Sequence, residues 1–262
     1  MSVRFRFKLV LIGEGAVGKT SIRQKYMGKG FTGEYLKTIG ADFASQTVEI
    51  TDAKEERIKS IFQIWDLAGQ QAFKEVRASF YGGCQGVLLV FDLTRKESMD
   101  KLKDWILEAA KNAGGTIKGF YLIGNKNDLP GRAVSEKEGL KFAQFLSNRL
   151  KFDIPYIETS AKTGDNIPFL FMDLCRILLM KEGFDIPETT KEAAEAPPVE
   201  AAVPVKEPAI LAPAPAVTAT VQETSLSPTN DSRNAELISK LEERVTKLEE
   251  ALKKIAKLLK DL

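Results

Sequence analysis

Histidine is absent from all 262 residues. That removes the commonest general base and metal ligand, and with it Ser/His or Cys/His nucleophilic chemistry and histidine-ligated zinc. Cysteine is nearly absent too. Cys84 and Cys175 both sit in apolar runs, GGCQGVLLVF and FMDLCRILLM, where buried free thiols in a reducing compartment are expected. No apolar run approaches the roughly 20 residues that a membrane-spanning helix needs. The opening stretch MSVRFRFKLVLIGEG breaks its apolar residues with Arg4, Arg6 and Lys8, which is the pattern of a strand and not of a secretory leader. Lys and Arg number 38 against 36 Asp and Glu, so no basic field points to a nucleic-acid partner.

From Phe5 to Lys181, short β-rich apolar runs alternate with stretches of helical period, as in a mostly parallel sheet covered by helices on both faces. Strands are expected near 4–12, 42–50, 58–65, 86–92, 119–124 and 154–158, and helices near 19–28, 71–80, 96–112, 135–149 and 166–181. Only the polar stretch Thr51–Arg57 separates the second and third strands. It is too short for a helical crossover, so this pair should be an antiparallel hairpin. The expected fold class is therefore α/β, with six strands and one antiparallel edge strand.

Glycine is missing after Gly183, and eight of the eleven prolines fall between Pro187 and Pro228. Residues 184–232 are expected to form a disordered Pro/Ala-rich linker after a domain spanning 1–183. Residues 233–262 carry a heptad array: Ile238, Val245, Leu252 and Leu259 at one seam position, Leu241, Leu248, Ile255 and Leu262 at the other. This favours a coiled-coil helix and a homodimer through residues 238–262. Leu237, Ala251 and Leu258 broaden the apolar face, which keeps a trimer or a docking helix open. Lys253, Lys254, Lys257 and Lys260 keep a membrane-surface helix open as well.

The first strand runs into Gly13-Glu14-Gly15-Ala16-Val17-Gly18-Lys19-Thr20, a complete Walker A phosphate loop, followed by Ser21 and a helical pattern. Its glycines let backbone N–H groups curl around phosphate oxygens. Lys19 can neutralise the β/γ phosphates, and Thr20 offers a hydroxyl to Mg2+. Asp66-Leu67-Ala68-Gly69-Gln70 follows another strand. Asp66 can hold Mg2+ through a water, Gly69 can present an amide to a γ-phosphate, and Gln70 can orient an attacking water. Asn125-Lys126-Asn127-Asp128 and Ser160-Ala161-Lys162 follow the fifth and sixth strands. A carboxylate at Asp128 can accept from the ring N–H and exocyclic amine of guanine, a donor pair that adenine lacks. Lys126 and Lys162 can flank the ring, and the Ala161 amide can meet the guanine carbonyl. Each tetrapeptide alone could be an ordinary solvent turn; their order and spacing together argue for GTP or GDP as ligand.

From Phe5 to about Lys181 the chain resembles the Ras superfamily of P-loop GTPases, the Rab branch most closely. The resemblance is carried by Thr38-Ile39-Gly40-Ala41-Asp42-Phe43, Gln63-Ile64-Trp65-Asp66 with Ala68-Gly69-Gln70, Phe80-Tyr81, and Val90-Phe91-Asp92-Leu93-Thr94. It implies that Thr38 completes the Mg2+ shell, so that Gln70, Lys19 and Thr38 serve hydrolysis. It also implies that Tyr35 closes over the phosphates and Phe31 packs on the guanine edge, with switch I near Gly30–Gly40. Ile39, Phe43, Trp65 and Phe80 would form an effector surface, although Phe43, Trp65 and Phe80 read equally well as half-buried packing aromatics. Effector proteins, an exchange factor and an activating protein are the implied partners. Vesicle traffic is the implied setting, with a cytoplasmic protein or one peripheral to a membrane.

Two positions depart from the Rab pattern near the site: Leu67 stands where threonine is usual, and Gln71 where an acid is usual. The chain also ends Leu258-Leu259-Lys260-Asp261-Leu262 without the cysteines of a prenyl anchor, so membrane contact by prenylation is not expected. Slow hydrolysis is expected, since no motif identifies an arginine in cis that would stabilise the transition state. The alternative reading is a coiled-coil scaffold whose nucleotide is static.

Overall fold

The structure is a computed structural model, and it describes residues 4–30, 38 and 40–188. Phe31, Tyr35, Ile39, the linker after residue 188 and the heptad segment lie outside the described residues. Six strands, β1 (Arg4–Ile12), β2 (Ala41–Thr51), β3 (Arg57–Leu67), β4 (Gly86–Asp92), β5 (Gly119–Asn125) and β6 (Tyr156–Thr159), form one sheet in the order β2-β3-β1-β4-β5-β6. The β2–β3 pair is antiparallel and every other pair is parallel. At the hairpin turn Asp52 Oδ1 accepts from the amides of Lys54 and Glu56 at 2.9 and 2.8 Å, so one carboxylate replaces the ladder bonds the turn gives up.

The helices are α1 (Lys19–Tyr26), α2 (Lys74–Ala78), α3 (Lys96–Asp100), α4 (Leu102–Asn112), α5 (Glu136–Leu150) and α6 (Ile167–Lys181). Every residue of β4 and β5 is buried, as parallel strands with helices on both faces require. Along β1 the side chains alternate: Phe7, Leu9 and Leu11 join one core with Ile22, Tyr26, Phe171 and Leu174 of α1 and α6. Val10 and Ile12 join the opposite core with Leu102, Trp105, Ile106, Ala143 and Leu146 of α4 and α5. Cys84 and Cys175 are free and buried, as expected. Among the described residues no helix is long and apolar enough to cross a membrane.

Two helical expectations are corrected. The stretch 71–80 is not one helix but a 3-10 turn, Gln71–Phe73, followed by the short α2. Here Arg77 is drawn fully inside, and the Phe80 amide bonds the Arg77 carbonyl at 2.8 Å, so the segment follows its buried anchor and not a regular α spiral. The stretch 96–112 breaks at Lys101, whose ψ of −9° departs from the α value and ends α3 before α4 begins. Packing continues past Gly183. Ile186 is buried, Phe184 meets Phe5 edge-on at 5.3 Å, and the Asp185 carbonyl accepts from the Ala53 amide at 2.9 Å.

Candidate functional site

Each parallel strand ends at the same rim of the sheet, so the loops that leave β1, β3, β4, β5 and β6 converge there. The β1 loop carries Gly13 to Gly18 and opens α1 at Lys19. Gly18 has φ +98°, and a Cβ there would lie 2.2 Å from Asn125 Nδ2, so glycine is required both by the backbone and by the approach of the β5 loop. Lys19 Nζ donates to the carbonyls of Gly13 at 2.7 Å and Glu14 at 2.8 Å, which bends the loop around the ammonium. Burial lowers the Lys19 pKa to about 8, against the opposing pull of Asp66 and Glu14. The Glu14 carboxylate turns outward, taking Trp105 Nε1 at 3.2 Å and Lys101 at 3.5 Å, so only its backbone faces the loop interior.

Beside Lys19, the Thr20 hydroxyl donates to Asp66 Oδ2 and lies 3.1 Å from the Thr38 hydroxyl. Asp66 is fully buried, and among the described residues its Oδ1 has no hydrogen-bond partner. Burial pushes its carboxyl upward in pKa, opposed by Thr20, Lys19 and Arg23. Two hydroxyls and an under-satisfied carboxylate are hard oxygen donors, the set that Mg2+ takes in partnership with waters and phosphate oxygens. Thr20, Thr38 and Asp66 therefore fit the metal expected at them. Among the described residues no group of three or more Cys, Asp or Glu side chains gathers elsewhere for a metal.

Gly69 sits against the phosphate loop so closely that a Cβ would fall 2.6 Å from the Glu14 carbonyl atoms and 2.7 Å from the Gly15 nitrogen. Gln70, the next residue, is half-buried at this contact. Arg77, which sequence reasoning missed, stations the segment. Its guanidinium bonds Glu108 twice, at 2.9 and 3.0 Å, and donates to the carbonyls of Ala68, at 3.0 Å, and Gln70. It also lies 4.3 Å over the Trp105 ring, and Tyr81 OH donates to Glu108 at 3.0 Å.

At the other end of the rim, Asn125 is a tie between loops. Its Nδ2 donates to the Val17 carbonyl at 2.8 Å, and its Oδ1 accepts from Thr159 Oγ1 and the Ala161 amide, both at 3.1 Å. Asp128 is exposed, with Oδ1 held by Ser160 Oγ at 2.7 Å, while Lys162 is exposed beside the buried Ala161. Lys126 reaches Asp92 at 2.7 Å. Asp92 belongs to a quoted motif, but sequence reasoning assigned it no role; its pairing with two cations, Lys126 and Arg95, appears only in three dimensions. Arg23 of α1 pairs with Asp42 of β2, another cross-link with no local signature.

On the outer part of β2 and β3, Phe43 and Trp65 lie 4.9 Å apart and Trp65 and Phe80 5.4 Å apart, ring centre to ring centre. All three are half-buried, so they pack on one another and still present an edge to solvent. Lys8 Nζ stands 5.0 Å over the Trp65 ring.

A family model described as the Ras family matches residues 8–180. Among known proteins, the Ras-related protein Rab-8B of Pongo abelii is 33% identical over 194 residues, covering 74% of this chain and 88% of the relative. The Ras-related protein Rab-13 of Canis lupus familiaris is 35% identical over 178 residues, covering 68% of this chain and 82% of the relative. The Ras-related protein Rab-8A of Pongo abelii is 36% identical over 178 residues, covering 68% and 80%.

Proposed function

Because this chain belongs to the Ras family, whose members are GTPases, we propose that it is a Rab-like switch that binds GTP or GDP with Mg2+ and hydrolyses GTP slowly. The observation that carries this reading is the meeting of Lys19, Thr20, Thr38 and Asp66 at one point of the rim, with Gly69 pressed on the phosphate loop. A sensor of the terminal phosphate has to join those three loops.

In this proposal the amides of Gly13 to Thr20 and the Lys19 ammonium receive the phosphates, while Ser21 continues the helix whose N-terminus faces them. Asp128, Lys126, Ala161 and Lys162 receive guanine, with Asn125 and Ser160 holding their loops in place. Mg2+ held by Thr20 and Thr38, and by Asp66 through water, would draw charge from phosphate oxygens. Gln70 orients water for attack. Phe31 and Tyr35 would complete the nucleotide site, and Ile39, Phe43, Trp65 and Phe80 the effector surface. Effectors, an exchange factor and an activating protein are the partners such a switch requires, in membrane traffic as the cellular setting. Residues 1–183 are the proposed catalytic unit, with 184–186 packed onto it; the rest of 184–232 is the proposed linker and 233–262 the coiled coil.

Single-turnover hydrolysis of GTP with Mg2+, comparing wild type with Gln70→Leu, tests the reading. The wild type is expected to turn over slowly, and the variant at least about a hundredfold more slowly, the low end of the usual range for loss of a group that activates the nucleophile. Equal rates would remove Gln70 from its role. No turnover by the wild type would favour the static scaffold.

A further inference from the structure

Arg95 follows β4 and stands between the phosphate loop and the base-binding turn. Its Nη2 donates to the Gly15 carbonyl at 2.9 Å, and its Nε donates to Asp92 Oδ2 at 3.2 Å. The Asp92 side chain is only 2% exposed and also receives Lys126 Nζ at 2.7 Å, the Thr94 amide at 2.9 Å and the Thr94 hydroxyl at 2.7 Å. Burial pushes the Asp92 carboxyl up, but Lys126 and Thr94 outweigh it and hold its pKa below the usual range, so Asp92 is a fixed negative charge between two cations.

The peptide that Arg95 grips leads into a residue in a conformation that needs outside support. Ala16 has φ +62°, a left-handed conformation that a residue with a Cβ adopts only when its surroundings impose it. In a trans peptide the carbonyl and the following N–H point opposite ways. Arg95 is about half exposed, with its side chain at 47%, and draws the Gly15 carbonyl toward itself; Lys19 occupies the other side, where it bonds the Gly13 and Glu14 carbonyls. A Gly15 carbonyl pinned to Arg95 therefore turns the Ala16 N–H away from solvent and toward the loop interior.

We propose that Arg95 is a positioning residue for nucleotide retention: it locks the Gly15–Ala16 peptide so that the Ala16 amide faces the phosphates, and through Asp92 it couples that peptide to Lys126 at the base-binding turn. The proposal rests on the guanine-nucleotide reading above and adds a determinant of release rate to it. Charge-assisted hydrogen bonds are about twice as strong as neutral ones, so the loss should be readable in an off-rate.

The test is release of a fluorescent GDP from the full chain, chased with excess GDP in Mg2+, for wild type, Arg95→Ala, Arg95→Gln, Lys126→Ala and Arg95→Ala with Lys126→Ala. Arg95→Ala is expected to release GDP about tenfold faster than wild type, with its unfolding midpoint little changed because the side chain is half exposed. Arg95→Gln retains one donor group, and its rate should fall between the two. The double variant should depart from the product of the two single effects, in either direction, because both cations act on one carboxylate. A purely structural loosening would multiply. Wild-type release rates in both Arg95 variants, or fully multiplicative effects, overturn the proposal. If Arg95→Ala does not fold, the Arg95→Gln rate decides by the same criterion. A wild type that binds GDP no better than ADP would instead overturn the guanine-nucleotide reading, and this inference with it.

Discussion

Removal of the Glu108 carboxylate is a severe test of how the segment carrying Gln70 is held. Glu108→Ala leaves the Arg77 guanidinium, 0% exposed, without the two charge-assisted bonds at 2.9 and 3.0 Å that balance it. It also strips the acceptor from Tyr81 OH. Breaking a buried ion pair from one side costs about 3–5 kcal/mol, most of it the uncompensated charge. For a domain of this size each kcal/mol moves the thermal midpoint by about 2–4 °C, so a drop of roughly 6–20 °C is expected. The companion variant, Glu108→Leu with Arg77→Met, removes both charges. It leaves the carbonyls of Ala68 and Gln70 without the Arg77 donor, a smaller penalty of about 1 kcal/mol each. It should therefore be more stable than Glu108→Ala. The assay is thermal and urea unfolding at one fixed GDP concentration, because a bound ligand adds its own stabilisation. A loss under about 1 kcal/mol for Glu108→Ala, or a double variant less stable than the single, refutes the reasoning.

Two further outcomes are expected. Gly69→Ala places a Cβ 2.6 Å from Glu14 backbone atoms that cannot yield, so Gln70 must shift; single-turnover hydrolysis should slow by about a hundredfold with GDP binding retained, and an unchanged rate would show that the contact is not used. Burial holds Lys19 at about 8, so above that pH the ammonium loses its proton and phosphate binding must restore it. GDP affinity is then expected to be flat below about pH 8 and to fall by up to about tenfold by pH 9. Proton uptake should be visible by calorimetry in buffers of different ionisation enthalpy, and no uptake at pH 9 would contradict the buried-ammonium account.

Much of the fold was legible because its signals are local. The all-buried runs of β4 and β5 can only be central strands, and the short link between β2 and β3 permits only a hairpin. Gly13 to Thr20, Asp66 to Gln70, Asn125 to Asp128 and Ser160 to Lys162 were each readable as chemistry, since phosphate loops and base-binding turns act through short contiguous segments. What went unseen were roles defined by partners far along the chain. Arg77 drew no reading beyond its place in an expected helix over 71–80, yet it is buried against a glutamate 31 positions away, and this anchoring accompanies the replacement of a regular helix there by a turn and a short α2. Arg95 and Asp92 likewise gain meaning only when the sheet order sets β1, β4 and β5 side by side. The sequence alone determined the chemical groups and the sheet; tertiary structure decided which buried charges are paired. A charge's burial and partner depend on the whole packed rim, which no local window of residues contains.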